Sequence, residues 1–203
     1  MDVPRIRVGI NGFGRLGRLL FRAILNSSQF IVGGINDPAM DASYMAYLIQ
    51  YDSEYGQLQN AIIDVDNESE QGFLIINERK IPVFSFVDAS EIPWGREEVE
   101  YVAETTGRLL STSSANVHLL SGARKVVIAG CPTDLYTPIF VMGVNQEFYN
   151  PRSMHVVSNG CSSTYCLAPL LKILYEQFGL QDALVTTIHS GMYIAAQIVS
   201  PTN

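Results

Sequence analysis

The chain has 203 residues, of which 47% are hydrophobic and 16% charged, so it can bury a substantial core. Lys and Arg number 13 against 20 Asp and Glu, a net charge of −7, and no basic run interleaved with aromatics marks a dedicated nucleic-acid site. No apolar run is long enough to span a bilayer and the start has no cleavable apolar core; Cys131, Cys161 and Cys166 lack metal-ligand spacing, so no metal is expected and the cytoplasm is the expected location.

In chain order, Ile6 to Ile10 is a short apolar run of the buried parallel-strand type. A helix follows, with Leu16, Leu19, Leu20, Ala23 and Ile24 at helical spacing. A second strand, Phe30 to Ile35, completes a βαβ unit. Asp41 reads as the N-cap of a helix carrying Tyr44, Met45, Tyr47 and Leu48. Residues 60–86 alternate around Asn77-Glu78-Arg79 and predict antiparallel hairpin strands beside the main sheet. Further buried strands are predicted at Tyr101 to Ala103, Lys125 to Ala129, Ile139 to Val144 and Met154 to Val157, with a helix over Thr112 to Leu120. Beyond residue 158 the pattern gives a helix from Ser162 to Phe178, interrupted by Pro169, then a strand from Ala183 to His189. The fold class is α/β, a Rossmann-type doubly wound and mainly parallel sheet.

Gly12-x-Gly14-x-x-Gly17 sits between the first strand and the first helix. Glycines there permit a tight turn and close backbone approach to a pyrophosphate, and the helix start offers free N–H groups. Asp37, at the end of the second strand, has the place and spacing of the carboxylate that bonds the adenosine ribose. Its charge would repel a 2′-phosphate, which favours NAD over NADP.

Longer stretches carry a more specific signal. Gly9-Ile10-Asn11-Gly12-Phe13-Gly14-Arg15-Leu16-Gly17-Arg18, Ile35-Asn36-Asp37-Pro38, Gln50-Tyr51-Asp52-Ser53 and Phe140-Val141-Met142-Gly143-Val144-Asn145 resemble motifs of the phosphorylating glyceraldehyde-3-phosphate dehydrogenases. So does Ser158-Asn159-Gly160-Cys161-Ser162-Ser163-Thr164-Tyr165-Cys166-Leu167-Ala168-Pro169, where the family reads S-N-A-S-C-T-T-N-C-L-A-P. The resemblance implies NAD as cofactor and partner, held by Asn11, Gly12, Phe13, Gly14, Arg15, Leu16, Gly17 and Asp37, with Thr105, Thr106 and Gly107 near the nicotinamide half. It divides the chain into an NAD-binding domain, 1–157, and an incomplete start of the family's α+β catalytic domain, 158–203. The Leu167, Leu171 and Leu174 face is then expected to lack its usual cover, and a homo- or hetero-oligomer with a full-length paralogue is an expected partner.

The same resemblance marks departures. The nucleophilic cysteine falls on Ser162, whose hydroxyl is a far poorer nucleophile than a thiolate. Cys161 is one residue away, about 100° round a helix; Cys166 reads as a small buried hydrophobe. His189 matches the catalytic histidine, and Ser163 keeps the hydroxyl of a substrate-binding threonine. Met192 and Ile194 replace threonines that hold the substrate phosphate, Ala196 replaces a lysine, and Ala129 replaces a serine near the nicotinamide. The implied reaction is NAD-dependent oxidation and phosphorylation of glyceraldehyde 3-phosphate in glycolysis, with this copy expected to be inactive. Two alternatives stand: an enzyme still working through Cys161 or as a weak Ser162 hydrolase, or a non-catalytic NAD-binding protein that pairs with an active paralogue.

Overall fold

The computed structural model describes residues 4–53, 55–59, 61–67 and 71–188. They form two compact units, divided between Cys161 and Ser162. The first holds one eight-stranded sheet in the order β3-β4-β5-β2-β1-β6-β7-β8. In sequence these are β1 (Ile6–Asn11), β2 (Phe30–Asn36), β3 (Ile63–Asp66), β4 (Phe73–Ile76), β5 (Arg79–Phe84), β6 (Tyr101–Glu104), β7 (Lys125–Ile128) and β8 (Val156–Ser158). Helices α1 (Arg15–Leu25), α2 (Ala42–Gln50), α3 (Thr112–Ala115) and α4 (Val117–Leu120) are interleaved with them. From β5 across to β8 every pairing is parallel. The pairs β3–β4 and β4–β5 are antiparallel.

The pleat sorts the apolar residues onto two faces. Val8, Ile10 and Ile35 point to one side, where Phe21 and Ile24 of α1 and Met45 and Ile49 of α2 cover them. The register Gly9↔Val102↔Val126↔Val156 runs along the other side. There Trp94 packs with Val99 and Val102, and Ala115 packs with Val126, Ile128 and Val156. Strand order reverses between β1 and β6, so the helices leaving those strands diverge to opposite faces. That divergence opens the crevice in which doubly wound sheets hold their ligands.

Trp94 is fully buried because the strands beneath it lack side chains. A β-carbon on Gly9 would lie 2.7 Å from the indole Cζ3, and one on Gly34 would lie 3.5 Å from it.

Several expectations are corrected. The buried line of α1 is Gly17, Phe21 and Ile24, whereas Leu16 and Leu19 are 48% and 42% exposed. The hairpin strands do not stand apart; β5 pairs with β2 through Ile35↔Val83 and Asn36↔Phe84 and joins them to the main sheet. Residues 139–144 are not a strand. Only Ile139 bridges to Ser158, because Asn145 folds the run into a turn. Its Oδ1 accepts from Val141 N at 2.8 Å and its Nδ2 donates to Ile139 O at 2.9 Å, with Gly143 at φ 85°. The Thr112 to Leu120 helix is two short helices joined at Asn116, the first opened by a Ser111–Ser114 capping box. Asp41 caps α2 as its position predicts, accepting from Tyr44 N at 2.7 Å.

The second unit carries α5 (Ser162–Phe178), which continues through Pro169. Residues 181–188, expected to enter a strand, have no regular structure. No described helix is long and apolar enough to cross a membrane.

The β4–β5 turn has only two residues, Asn77 and Glu78, both with positive φ (47° and 69°). That is the condition of a type I′ turn, which favours glycine at its second place. Glu78→Gly should therefore stabilise the chain by about 0.5–1 kcal/mol, read as a higher urea midpoint at unchanged slope.

Candidate cofactor site

β1 ends at Asn11, and the chain turns sharply over the tips of its neighbours. Gly12 N donates to Asn36 O of β2 at 2.7 Å and Thr105 N donates to Asn11 O at 2.9 Å. Gly12 adopts φ 93°, a conformation glycine alone enters cheaply. At Gly17 a β-carbon would meet Gly12 O at 2.1 Å, so the helix can lie against the turn only without a side chain there. Gly14 differs: a β-carbon on it would meet nothing within 4 Å. Gly14 is also the N-cap of α1 and makes no side-chain cap bond. The positive end of the helix dipole therefore faces open space over a bare backbone, the arrangement that receives a phosphate.

Asp37 supports this turn from below. Its Oδ2 accepts from Phe13 N at 2.8 Å and its Oδ1 accepts from Ala39 N at 3.0 Å. Each carboxylate oxygen keeps a further lone pair for a ligand hydroxyl. The Phe13 side chain is fully buried, edge-on to Phe21 at 5.5 Å, so only its backbone serves the site. The Thr105 hydroxyl is spent on the carbonyls of Asn11 and Gly12, at 2.9 and 2.6 Å, and holds the turn rather than facing a ligand. Gly107, at φ 71°, has open space where a side chain would be.

A cleft of about 370 Å³ opens here, lined by Asn11, Gly12, Gly14, Pro38, Thr105, Thr106 and Arg108 among others. Asp88 also lines it, and the backbone N–H and hydroxyl of Ser90, at 2.9 and 2.7 Å, hold its carboxyl below the usual range. Asp88 and Arg108 had no sequence signal, since nothing in their local pattern ties them to the fingerprint. A larger cleft, about 770 Å³, lies beyond Pro38 against Asp41, Phe84 and Arg96. None of the fingerprint glycines lines it, so the anion-binding chemistry belongs to the smaller cleft.

Behind the turn runs a buried polar chain that sequence reasoning missed. Phe86 N donates to Asn36 Oδ1 at 2.9 Å, and Asn36 Nδ2 donates to Asn11 Oδ1 at 2.8 Å. Asn11 Nδ2 donates to Glu104 Oε2 at 2.6 Å, which also bonds His118 Nε2 at 3.0 Å. Trp94 Nε1 reaches His118 Nδ1 at 3.1 Å. An indole N–H can only donate, so Nδ1 is the acceptor, the ring is neutral, and Nε2 carries the proton to Glu104. The other Glu104 oxygen accepts from Thr106 N at 2.8 Å and from the Thr106 hydroxyl. The chain ties β1, β2, β6, α4 and the Trp94 segment together at the mouth of the crevice. At the outer side, Arg18 pairs with the buried Asp52 at 3.0 Å and fixes α1 to the segment after α2.

Of the residues matched to the family's chemistry, Ser162 and Ser163 are the ones among the described residues. Ser162 is the exposed first residue of α5, Ser163 follows it half-buried, and both lie in the second unit. His189, Met192, Ile194 and Ala196 lie outside the described residues. Cys166 is exposed, not buried as its place on the helix stripe suggested, because no residue of α5 is buried.

A family model for the NAD-binding domain of glyceraldehyde 3-phosphate dehydrogenase matches residues 6–112, more than half the chain. The chain belongs to the glyceraldehyde-3-phosphate dehydrogenase family. It is 44% identical over 190 residues to the glyceraldehyde-3-phosphate dehydrogenase of Oncorhynchus mykiss, covering 94% of this chain and 54% of the relative. It is 45% identical over 185 residues to the cytosolic enzyme of Trypanosoma brucei brucei, covering 91% and 53%. With the chloroplastic protein of Arabidopsis thaliana it shares 43% over 186 residues, covering 92% and 42%. The chain thus spans about half the length of the curated relatives it matches. NAD is the cofactor of this domain, and the uncapped start of α1 above Gly14, with Asp37 beneath the turn, fits it.

Replacing His118 with alanine should leave the Trp94 N–H buried without its acceptor and take from Glu104 Oε2 one of its two donors, the Asn11 amide remaining. The expected loss is about 3 kcal/mol, measured by urea unfolding followed through the single tryptophan.

Proposed function

We propose that this chain binds NAD in preference to NADP and does not by itself carry out the phosphorylating oxidation of glyceraldehyde 3-phosphate. The observation that carries the second half is Ser162, at the place of the family's nucleophilic cysteine and at the first turn of α5. The family's chemistry needs a thiolate to add to the aldehyde carbonyl, and a helix start helps to form one by lowering the thiol's pKa. At Ser162 the same helix start acts on an alcohol, which keeps its proton near neutral pH. The ester it could form is also a poorer acyl donor to phosphate than a thioester. Met192 and Ile194, in place of two threonines, offer no donor to the substrate's phosphate.

The cofactor half rests on different residues. When bound, NAD supplies a hydride acceptor. Gly12, Gly14 and Gly17 give the pyrophosphate a bare backbone and a helix start, and Asp37 presents carboxylate oxygens to the ribose end while bracing Phe13 N. A carboxylate in that position repels a 2′-phosphate. Ala129 in place of a serine removes one hydroxyl from the nicotinamide end and weakens affinity. A cytoplasmic location is the companion reading, in line with the cytosolic relatives.

Calorimetry with the purified chain should show NAD binding at least tenfold tighter than NADP, about 1.4 kcal/mol. Asp37→Asn keeps an acceptor for Phe13 N but removes the charge, and should erase that preference while the fold stands. No NAD binding at millimolar ligand would refute the cofactor reading.

Activity is tested separately. With glyceraldehyde 3-phosphate, phosphate and NAD, the wild-type chain should form no NADH, and Ser162→Cys alone should not restore turnover, because the phosphate donors are still missing. Phosphate-dependent NADH formation that disappears in Cys161→Ala would overturn the proposal and assign the reaction to the neighbouring thiol.

A further inference from the structure

Two of the three cysteines stand where the resembled family carries no thiol. Cys131 follows Ile128-Ala129-Gly130, where the family reads I-S-A-P, and Cys161 replaces a serine. The fold brings these two departures together. β7 and β8 are neighbouring parallel strands, and their last paired residues are Ile128 and Ser158. Each cysteine is the third residue beyond its member of that pair.

The strand ends remain tied past the ladder. Asn159 N donates to Ile128 O at 2.9 Å. The Ser158 hydroxyl donates to Gly130 O at 2.7 Å and accepts from Gly160 N at 2.9 Å. Gly130 and Gly160 immediately precede Cys131 and Cys161, so the residues leading into both cysteines meet at one oxygen atom. Neither glycine puts a side chain between the strands. Parallel neighbours run about 4.8 Å apart, inside the Cα separation of roughly 4.4–6.8 Å that a disulfide spans. All three cysteines are reduced thiols; Cys131 is exposed and Cys161 half-buried, so small solutes reach the pair.

We propose that Cys131 and Cys161 are a redox modification site, closing to an intrachain disulfide when the chain meets a hydroperoxide. One thiolate attacks the terminal peroxide oxygen, the O–O bond breaks, and hydroxide or alkoxide leaves with the electron pair, giving a sulfenic acid. The second thiolate attacks that sulfur, the S–O bond breaks, and hydroxide leaves and takes up a proton as water. The two sulfurs are each oxidised by one electron and the peroxide is reduced by two. The bond clamps the ends of β7 and β8 where the chain leaves the sheet, and it requires neither NAD nor any catalytic activity.

The test uses the full-length chain, purified under reducing conditions, treated with hydrogen peroxide and then alkylated with iodoacetamide. Trypsin with chymotrypsin cuts after Arg152 and Tyr165, which puts the three cysteines on separate peptides for mass spectrometry. The expected product is a dithiothreitol-sensitive pair joining the Cys131 and Cys161 peptides, with Cys166 alkylated. Cys131→Ser and Cys161→Ser should each abolish it, and Cys166→Ser should leave it intact. A Cys161–Cys166 link, a link between two chains, an acid form on one cysteine without a link, or three alkylated thiols after oxidation would each overturn the proposal.

Discussion

The Asn11 side chain occupies a place that water does not reach, between Asn36 on one neighbouring strand and Glu104 on the other. Everything around the cofactor turn depends on how that place is satisfied. The sheet must open at its reversal point to make a crevice, and opening it exposes polar backbone at the strand tips. A carboxylate, an imidazole, two amides and an indole N–H fill the gap with donors matched to acceptors from Phe86 to Trp94. Each bond is strengthened by its low-dielectric surroundings, and each would be costly to leave unmade. The network therefore acts as a register pin. Asn11, Asn36 and Glu104 pair across β1, β2 and β6, and a slip of any one of these strands by one residue would turn its member to the opposite face and break the chain.

Much of the fold is readable from local pattern. The parallel strands appear as short apolar runs, the fingerprint lies between strand and helix, and Asp41 announces the helix it caps. What failed to show locally is equally specific. Phe140 to Val144 is as apolar as a strand, but the Asn145 amide bonds back to Val141 and Ile139 and makes a turn of it. Leu16 and Leu19 have helical spacing, yet the helix turns Gly17 and Phe21 inward because the close approach to Gly12 sets its rotation. His118 and Trp94 lie in separate segments, and no periodicity or motif predicts that an indole will fix an imidazole's tautomer.

The candidate site divides in the same way. The fingerprint glycines and Asp37 are legible because their spacing is the chemistry. Thr105 was legible as a position but not as a role: its hydroxyl braces two carbonyls of the turn. The residues that hold the cofactor turn all lie before Cys161, and those matching the family's chemistry begin at Ser162. Among the described residues, none of the bonds that shape the turn involves Ser162. A substitution at Ser162 therefore breaks none of the bonds that hold the cofactor cradle.

The slot under Trp94 has a consequence for how this sequence can change over time. The indole lies over Gly9 and Gly34, on two strands, and its N–H closes the polar chain. Any side chain on Gly9 collides with the ring, and any smaller residue at 94 leaves both a void and a His118 Nδ1 without its donor. Gly9 and Trp94 are thus held by each other, while Gly34 is held by Phe84, whose ring a β-carbon there would meet at 3.0 Å, so a drifting lineage leaves the Gly9–Trp94 arrangement only through substitutions made together. Gly9 and Trp94 are therefore expected to persist or to change as a pair, whatever residue stands at position 162.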